Sequence, residues 1–498
     1  MQSSGRQDYL WLCAILLLAA ALRIYGLNAP MWHDEIQTLV THVHLGWGDM
    51  VQSYSMNHHY LHNLAVKGSM SVLGDDPWAI RLPAMLFGLG TLVAIWVLAR
   101  DVAGVTIAHV TTLLLALSYH QIWFSQNARG YTGLAFFSAL GMLFFLRGMK
   151  NPTRKTWILY ALCLAAAVFT HLTGAFFFMA QGVVWLGVVI ASAARGRLDG
   201  KVFRLPLMGF MLGGIVAALI YLPLLPSLLE TVSNVSESSA TDVMQEYQNP
   251  IWTAFEAIRT GIGQAGPIVA LVGAAVLTLS FLGAVALHRD APLFALTTFV
   301  HIVLTAGLLM AVGMRIWPRF FFVDIGFLML LIVAGVRLCC ALIGHFIGGE
   351  RVSRAFFVIG TIAMVAISAF LAKRNYEFPK QDLAGAYTFT ESQRQPGDRV
   401  YAIGYSGQDF RDYYNADWPI LFTNDEYLEA AATPGPIIFV VGFPERNFRD
   451  VPQLAADANV GLQADICAAD RSDAPVLQTL RCFGGTLGDG NVIVFRRD

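Results

Sequence analysis

Apolar stretches about as long as a lipid bilayer is thick recur along most of this 498-residue chain. A helix needs about 20 apolar residues to cross the hydrocarbon core of a membrane. This rule predicts eleven membrane-spanning helices, which fall near residues 9–27, 79–99, 105–122, 132–148, 156–171, 173–194, 206–224, 266–287, 292–311, 320–337 and 354–371. The chain is therefore predicted to be a polytopic α-helical membrane protein.

The composition agrees with this prediction and excludes other classes. Only 13% of the residues are charged, against roughly 25% in soluble domains. The 33 basic and 34 acidic residues nearly cancel, so the net charge gives no reason to expect a nucleic-acid partner. Six cysteines without a CxxC pair exclude a disulfide scaffold.

Basic residues predict the orientation of the spans. The loops that are rich in Lys and Arg alternate along the chain, and two of the richest are 147–155 and 195–204. Because such loops stay in the cytoplasm, the N-terminus is expected there as well. Eleven crossings then place the C-terminus outside the cell membrane.

Two outer segments are expected within a transmembrane module that spans residues 1–372. The first extracytoplasmic loop, 28–78, holds short amphipathic stretches that suit a membrane surface. The second segment, 225–265, is rich in Ser and weakly patterned. Such a pattern predicts a mobile loop without a fixed fold.

The tail, residues 373–498, has a different composition. The turn signals PGD and TPGP separate the β-rich runs RVYAIG, PIIFVV and NVIVF. This pattern predicts a small extracytoplasmic α/β domain. An oxidising compartment permits a disulfide between Cys467 and Cys482, and two free thiols are the alternative.

Polar residues that could carry chemistry collect on the predicted outer face. The segment MWHDE places His33, Asp34 and Glu35 directly after the first span. Paired acids at a membrane boundary are costly unless they have partners or a task; a solvated loop with a helix-capping Asp is the alternative. Further polar residues of the same face are His42, His44, His58, His59, His62, His120, Gln126, Asn127, Arg129, Tyr131 and His171.

These segments resemble a known family. The order MWHDE, NHHYLHNLAVKGSMSVLG, RLPAMLFGLGTLVAIWVLAR and SQNARGYTGLAFF is similar to the fold-type-C (GT-C) glycosyltransferases that use lipid-linked sugars. Within that group it resembles the protein O-mannosyltransferases and the lipid A aminoarabinose transferases, or glycosyltransferase families 39 and 83. The counterparts of the family motifs are Asp34-Glu35, Asn57-His58-His59-Tyr60-Leu61, Arg81-Leu82-Pro83, Ala128-Arg129-Gly130-Tyr131 and Pro318-Arg319-Phe320.

The resemblance implies an enzyme, a hexosyl- or pentosyltransferase with a polyprenyl-phosphate-linked sugar as donor. Transfer to an acceptor hydroxyl would be a single inverting displacement. The family match places Asp34 at the position of the catalytic base, and Glu35 would orient it or bind the acceptor. The acceptor stays open between a lipid, a glycan and a protein.

The resemblance also implies residues that bind the donor phosphate. Arginine suits a phosphate because its planar fork offers several hydrogen-bond donors. The expected donor-binding residues are Arg129, Arg319, Tyr131, Lys67, His58 and His59. For the arginines the alternative is snorkelling to lipid headgroups, and Arg315 could replace Arg319.

No metal is expected to be required. A divalent cation at His33, His58 and His59 is an alternative, since imidazole binds such ions. However, the spacing matches no tight metal-binding motif such as HExxH.

A polyprenyl-linked glycolipid flippase or transporter is the rival class. Transporters often contain repeated halves and ionisable groups near the middle of the membrane. This sequence has no evident repeat, and its ionisable residues gather at one face, with the exceptions of His109, His301 and Asp324. A bacterial inner membrane is the expected location, which would make the C-terminal domain periplasmic, because the chain lacks the long insertions of the eukaryotic mannosyltransferases.

Overall fold

The computed structural model describes residues 5–52, 54–55, 57–197, 199–237, 245–263, 266–459, 476–486 and 489–498. Two compact units make up the chain. The first unit comprises Met1–Leu27 and Gly46–Asn375, and the second comprises Asn28–Leu45 and Tyr376–Asp498. The segment 28–45, which the sequence places in the first extracytoplasmic loop, thus belongs to the second unit together with the tail.

The described part of the chain is mostly helical. Its α-helices are α1 (Arg6–Tyr25), α2 (His33–Thr38), α3 (Tyr60–Leu73), α4 (Pro77–Ala103), α5 (Val105–Ala116), α6 (Tyr119–Ser125), α7 (Tyr131–Lys150), α8 (Arg154–Thr170), α9 (Gly174–Ala194), α10 (Gly200–Tyr221), α11 (Leu225–Glu237), α12 (Pro250–Ile262), α13 (Pro267–Leu287), α14 (Pro292–Ala311), α15 (Asp324–Ile347), α16 (Gly349–Glu377), α17 (Leu383–Gln393), α18 (Ser406–Asp412), α19 (Asn424–Ala432), α20 (Pro444–Asp450) and α21 (Pro452–Asp457).

Helices long and apolar enough to cross a membrane confirm the predicted class. Within the described residues there are nine of them, or ten if α5 and α6 form one bent span. The remaining predicted span, 156–171, corresponds to α8, whose 17 residues extend for about 26 Å. The chain is therefore a multi-pass membrane protein with a helix at each of the eleven predicted positions.

The break between α5 and α6 is held open by an arginine from α1. The two helices meet at an angle of 60°. Arg23 is fully buried, and it donates hydrogen bonds from Nη1 to the carbonyl of Ala116 (3.2 Å) and from Nε to Ser125 Oγ (3.1 Å). Carbonyl groups at a helix end lack partners within the helix. Arg23 satisfies one of them, which makes a broken span tolerable inside the bundle.

A second buried arginine fixes the end of α1 against α4. Arg81 comes from the predicted RLP motif, and its Nη1 donates to the carbonyl of Leu27 at 3.0 Å. Only 1% of Arg81 is exposed. This arginine of the motif therefore acts as a structural tie between α1 and α4.

The segment 225–265 differs from its prediction. The structure has the helices α11 and α12 where the sequence predicted no fixed fold, and residues 238–244 and 264–265 lie outside the described part. α12 starts at a proline, and the side chain of Asn249 accepts hydrogen bonds from the backbone N–H groups of Ile251 and Trp252. Proline in the first turn and an asparagine cap are strong helix-start signals. The prediction of a loop rested on the Ser-rich composition of the segment and did not take these signals into account.

A five-stranded sheet forms the centre of the second unit. Its strands are β1 (Arg399–Ile403), β2 (Ile420–Leu421), β3 (Ile437–Gly442), β4 (Gln478–Phe483) and β5 (Val492–Arg497). They are ordered β2-β1-β3-β5-β4, with β2, β1 and β3 parallel and β5 antiparallel to both of its neighbours. This confirms the predicted small α/β domain.

Helices pack against this sheet because its inner strand is apolar throughout. All six residues of β3 are buried, and Phe439, Val441 and Phe495 belong to one core cluster with Tyr427 of α19. Cys482 lies in β4, whereas Cys467 is outside the described residues. Cys482 forms a disulfide bond, and its pairing with Cys467 stays a prediction.

Candidate functional site

Four segments of the first unit meet at one end of its helices. Two of them are the start of α7 and the turn between α8 and α9, which lie at the same end because consecutive spans run in opposite directions. The N-terminus of α3 and the short 3-10 helix Pro318–Phe321, just before α15, complete the group. We use the name cationic cluster for the residues that these segments contribute, which are His59, Arg129, Tyr131, His171 and Arg319.

Aromatic contacts join the segments of the cationic cluster. The ring of His59 lies 5.0 Å from that of Tyr131 and 4.7 Å from that of His171, measured between centroids. His171 also lies 6.1 Å from Phe320, the neighbour of Arg319. The structure thus brings together residues from sequence positions as far apart as 59 and 320.

A glycine makes the close packing around His59 possible. A Cβ atom on Gly130 would come within 2.7 Å of His59 Nδ1 and 3.0 Å of Thr170 Cγ2. Both distances are shorter than ordinary van der Waals contact. The glycine of the segment ARGY is therefore needed where α7 begins, because any side chain would push His59 away.

Arg129 is a buried arginine beside this histidine. Only 2% of Arg129 is exposed, and its Nη1 donates to the carbonyl of Asn57 at 3.3 Å. Its guanidinium carbon is 6.0 Å from the ring centre of Tyr131. Because Asn57 is two residues before His59, this hydrogen bond fixes the arginine relative to the histidine.

Arg319 is the second cation of the cluster. Its guanidinium stacks over Trp317 at 5.0 Å from the ring centre, and Arg315 lies 6.0 Å from the same ring. The charge of Arg319 acts on both His59 and His171. The sequence alone did not decide whether Arg315 or Arg319 belongs to the site. The electrostatic interaction with the two histidines places Arg319 in the cationic cluster.

The two histidines of the cluster are neutral. Burial, reinforced by the charge of Arg129, lowers the pKa of His59 well below its usual range and that of His171 to about 3. The backbone N–H of Thr173 donates to His171 Nδ1 at 3.2 Å, so Nε2 must carry the proton of this ring. Both residues lie in turns outside the spanning helices.

His59 has polar atoms that are buried without a partner. The residue is fully buried, and neither ring nitrogen has a hydrogen-bond partner among the described residues. A buried polar atom without a hydrogen bond is costly and uncommon in proteins. The cluster therefore combines two cations with a neutral imidazole that can still form hydrogen bonds, an arrangement suited to an anion.

Two of the predicted donor-binding residues have other contacts. The ring of His58 uses both nitrogens, since Nε2 donates to the carbonyl of Met50 (2.9 Å) and Nδ1 accepts from Asn63 Nδ2 (3.1 Å). Lys67 lies about two turns further along α3, with its Nζ 5.4 Å from the ring centre of Trp47. These contacts hold the loop before α3 rather than extend the cationic cluster.

The predicted catalytic acids lie in the second unit, on the short helix α2. Asp34 is half-buried, and Glu35 is fully buried. The neighbouring His33 donates its backbone N–H to Gln381 Oε1 (3.3 Å), and its ring Nδ1 lies 2.6 Å from Asp409 Oδ2. α2 is thereby part of the α/β domain, although more than 300 residues separate the two in sequence.

Asp409 receives a second hydrogen bond from the same helix. Gln37 Nε2 donates to Asp409 Oδ1 at 2.8 Å, and Asp409 is fully buried. Burial alone would lower the pKa of His33, but the hydrogen bond to Asp409 and the charges of Asp409 and Asp34 raise it above its usual value. His33 is therefore readily protonated and pairs with the carboxylate.

A metal site does not emerge from the described residues, among which no group of three or more His, Cys, Asp and Glu side chains is arranged to bind an ion. His58, one of the weak metal candidates, already uses both ring nitrogens.

Two residues of interest were not among the expected catalytic and donor-binding residues, although His171 was among the polar residues of the predicted outer face. His171 follows α8 in the segment FTHLTG, where a polar residue between two spans was a usable signal. Asp409 had no such signal, because a single acid in SGQDFRD does not differ from other surface acids of the tail.

Comparison with known proteins finds a matching family model for part of the chain and solved structures with a similar fold. The family described as dolichyl-phosphate-mannose-protein mannosyltransferase matches residues 57–223. This range contains four residues of the cationic cluster, and Arg319 lies outside it. No curated protein matches the sequence.

Solved structures share the architecture at low sequence identity. The crystal structure of ArnT from Cupriavidus metallidurans in the apo state is 14% identical, with a TM-score of 0.51, over 98% of this chain and 97% of that chain. The oligosaccharyltransferase of Archaeoglobus fulgidus in complex with Zn and sulfate is 13% identical, with a TM-score of 0.53, over 90% of this chain and 71% of that chain. These similarities confirm the GT-C fold.

Proposed function

We propose that this protein is an integral-membrane glycosyltransferase that moves a sugar from a polyprenyl-phosphate donor to a hydroxyl acceptor. The observation that carries the proposal is the cationic cluster, in which Arg129 and Arg319 act on the unpartnered, neutral ring of His59. The family match over residues 57–223 supports the same class of donor.

The cluster suits the phosphate of a lipid-linked sugar. Guanidinium groups bind phosphate oxygens through paired, charge-assisted hydrogen bonds. A neutral imidazole can add one more donor without repelling the arginines. Because the cluster lies where membrane helices end, we propose that the lipid tail stays in the bilayer while the phosphate enters the cluster.

Asp34 is the proposed general base. In a single inverting displacement the acceptor oxygen attacks the anomeric carbon, and its proton passes to the Asp34 carboxylate. The bond between this carbon and the phosphate oxygen breaks, and the polyprenyl phosphate leaves with the electron pair. Arg129 and Arg319 would stabilise the charge that grows on the leaving phosphate.

Glu35 is proposed to support this step rather than perform it. It is fully buried, whereas Asp34 is partly exposed and therefore the more accessible carboxylate of the pair. A buried acid beside the base can hold the base in position or bind a polar acceptor group.

A bacterial inner membrane with the cationic cluster on the periplasmic face is the proposed setting. The alternation of basic loops supports a cytoplasmic N-terminus. Reporter fusions at Lys155 and Asp398 test this orientation. The two reporters should localise to opposite sides of the membrane, and localisation to the same side would contradict the proposed orientation.

The rival flippase has one candidate feature, a buried hydrogen bond between a histidine and an aspartate inside the membrane unit. His301 Nδ1 of α14 lies 2.8 Å from Asp324 Oδ1 of α15, and both residues are buried. The pair joins α14 to the start of α15, directly after the turn that carries Arg319. A structural role in joining these two helices explains the position of the pair, so we propose a glycosyltransferase rather than a flippase.

A transfer assay distinguishes the two classes. The purified protein in liposomes is given a polyprenyl-phosphate sugar that is radiolabelled in the sugar. Label that leaves the lipid for an acceptor or for water supports the transferase, whereas movement of the intact lipid across the bilayer supports the flippase. Arg129→Ala should strongly reduce the transfer, and Arg147→Ala serves as the control because Arg147 lies at the other end of α7, paired with Asp101.

A further inference from the structure

We propose that Asp409 of the C-terminal α/β domain is a positioning residue for Asp34, which makes this domain a direct part of the catalytic apparatus. The inference rests on the proposed function, since it takes Asp34 as the base. It assigns a role to the domain that the family resemblance, which covers about residues 10–335, does not reach.

The place where α2 docks is the first argument. The parallel strands β1 and β3 end at the same edge of the sheet, and α18 and α20 follow them. Ligands of open α/β sheets bind at this carboxyl edge. Here the edge holds α2: His33 contacts Asp409 of α18, and its ring lies 4.9 Å from that of Phe443, the residue after β3.

The two hydrogen bonds to Asp409 fix the rotation of α2 about its own axis. His33 and Gln37 are four residues apart, so both lie on the same face of the helix. One carboxylate receives both side chains, at 2.6 and 2.8 Å. Asp34 is about 100° further round the helix than His33, beside the docked face, and its charge acts on both His33 and Asp409.

The backbone next to this contact is strained. Phe443 has φ 49° and ψ 57°, which is the left-handed region that residues other than glycine seldom adopt. Its backbone turns between β3 and α20, and its ring is set edge-on against His33 at an interplanar angle of 80°. Strain of this kind persists where the surroundings enforce it and is concentrated at functional sites.

A buried ion pair is a poor way to gain stability alone. Burying two charges costs about as much as their attraction returns, and apolar side chains often stabilise a domain as well. Unlike an apolar side chain, Asp409 can fix the orientation of α2, because its two oxygens bind two hydrogen-bond donors on this helix. We infer that this selection sets the orientation of Asp34.

Substitutions in the full-length protein test the inference. Asp409→Leu removes both hydrogen bonds, and a displaced reacting group can cost about a hundredfold in rate. We expect kcat to fall on that order while the KM for the polyprenyl-phosphate sugar changes less than about twofold. Asp409→Asn should recover most of kcat, because its carbonyl accepts from Gln37 and its amide donates to a neutral His33.

Asp398→Leu is the matched control. Asp398 is also a buried carboxylate of this domain, and it pairs with Arg496 at 3.0 Å instead of with α2. Both leucine variants should lower the melting temperature, but only Asp409→Leu should lower kcat. An equal loss of kcat in the two would overturn the inference, as would a wild-type kcat in Asp409→Leu.

Two further variants keep the test decisive. If Asp409→Leu does not fold, Gln37→Leu removes one of the two hydrogen bonds at a half-buried position. A clear loss of kcat in it supports the inference, and an unchanged kcat contradicts it. Absence of any transfer by the wild-type protein would instead contradict the proposed function, and Asp34→Asn gives the level of activity without the base.

Discussion

His59 and His171 face each other with ring centroids 4.7 Å apart, and both rings are neutral although they lie beside two arginines. The arrangement follows from charge: a protonated imidazole would add a third cation next to the buried Arg129 and the half-buried Arg319. A neutral imidazole can donate a hydrogen bond to an anion and keeps the positive charge on the guanidinium groups. The pair thus gives the cationic cluster a fixed charge over the physiological pH range.

Protonation of His171 should lower stability in acid. Its folded pKa is about 3, below the value of about 6.5 in the unfolded chain. The unfolded state therefore binds more protons as the pH falls below about 6.5, and stability decreases until the folded pKa is reached. The melting temperature of the wild type should fall between pH 6.5 and pH 4, and His171→Gln should reduce this fall.

Donor binding should not follow the same pH dependence, because burial and the charge of Arg129 lower the pKa of both histidines in the folded protein far below 6.5. Affinity for the polyprenyl-phosphate sugar, measured between pH 5 and pH 8, should be flat apart from the titration of the phosphate itself. A loss of affinity centred near pH 6.5 would show that one of these imidazoles is protonated in the folded protein.

Gly130→Ala should damage the cationic cluster through packing alone. The new methyl group would meet His59 Nδ1 at 2.7 Å, so the imidazole must move away from Tyr131 and His171. We expect at least about a tenfold weaker affinity for the donor, which corresponds to about 1.4 kcal/mol of binding free energy.

Gly187→Ala is the control for this substitution. Gly187 is a glycine of α9 with open space where a Cβ atom would lie. The exchange should leave donor affinity unchanged, because alanine favours a helix over glycine. Equal affinities of the two variants and the wild type would mean that His59 does not contact the donor.

Arg129 should contribute to both donor binding and rate. The phosphate is bound in the ground state and gains charge as the sugar leaves, so Arg129→Ala should raise KM and lower kcat. Arg129→Lys should recover activity only in part, since one ammonium cannot reproduce the fork of the guanidinium group. Steady-state kinetics on the three proteins measure both effects, and full activity of Arg129→Lys would contradict a bidentate contact.

The sequence predicted the parts of this protein that depend on local pattern. Each of the eleven predicted spans has a helix, because about 20 apolar residues leave few alternatives in a bilayer. The β-rich runs RVYAIG, PIIFVV and NVIVF correspond to β1, β3 and β5. Arg129, Tyr131, His59 and Arg319 were predicted from motifs, and the structure brings them together with His171.

Contacts between distant residues were beyond such reasoning. The break after α5 depends on Arg23, which reaches Ala116 from another helix. The assignment of α2 to the second unit depends on Asp409, 376 residues after His33. Neither contact produces a periodic pattern or a motif in the sequence, because each requires only one polar side chain at a suitable place in the fold.

Asp34→Asn tests the proposed mechanism most directly. Asparagine keeps the size of the side chain and part of its hydrogen bonding but cannot accept the proton of the acceptor hydroxyl. A positioned base contributes about a hundred- to ten-thousand-fold to the rate, or about 3–5 kcal/mol of barrier. The variant should therefore bind donor with wild-type affinity while kcat falls by that factor.

Asp75→Asn provides a control, since Asp75 is an exposed carboxylate between α3 and α4 and its substitution should leave kcat unchanged. If Asp34→Asn keeps more than about a tenth of the activity, base catalysis by Asp34 is excluded, and Glu35→Gln becomes the next variant to measure.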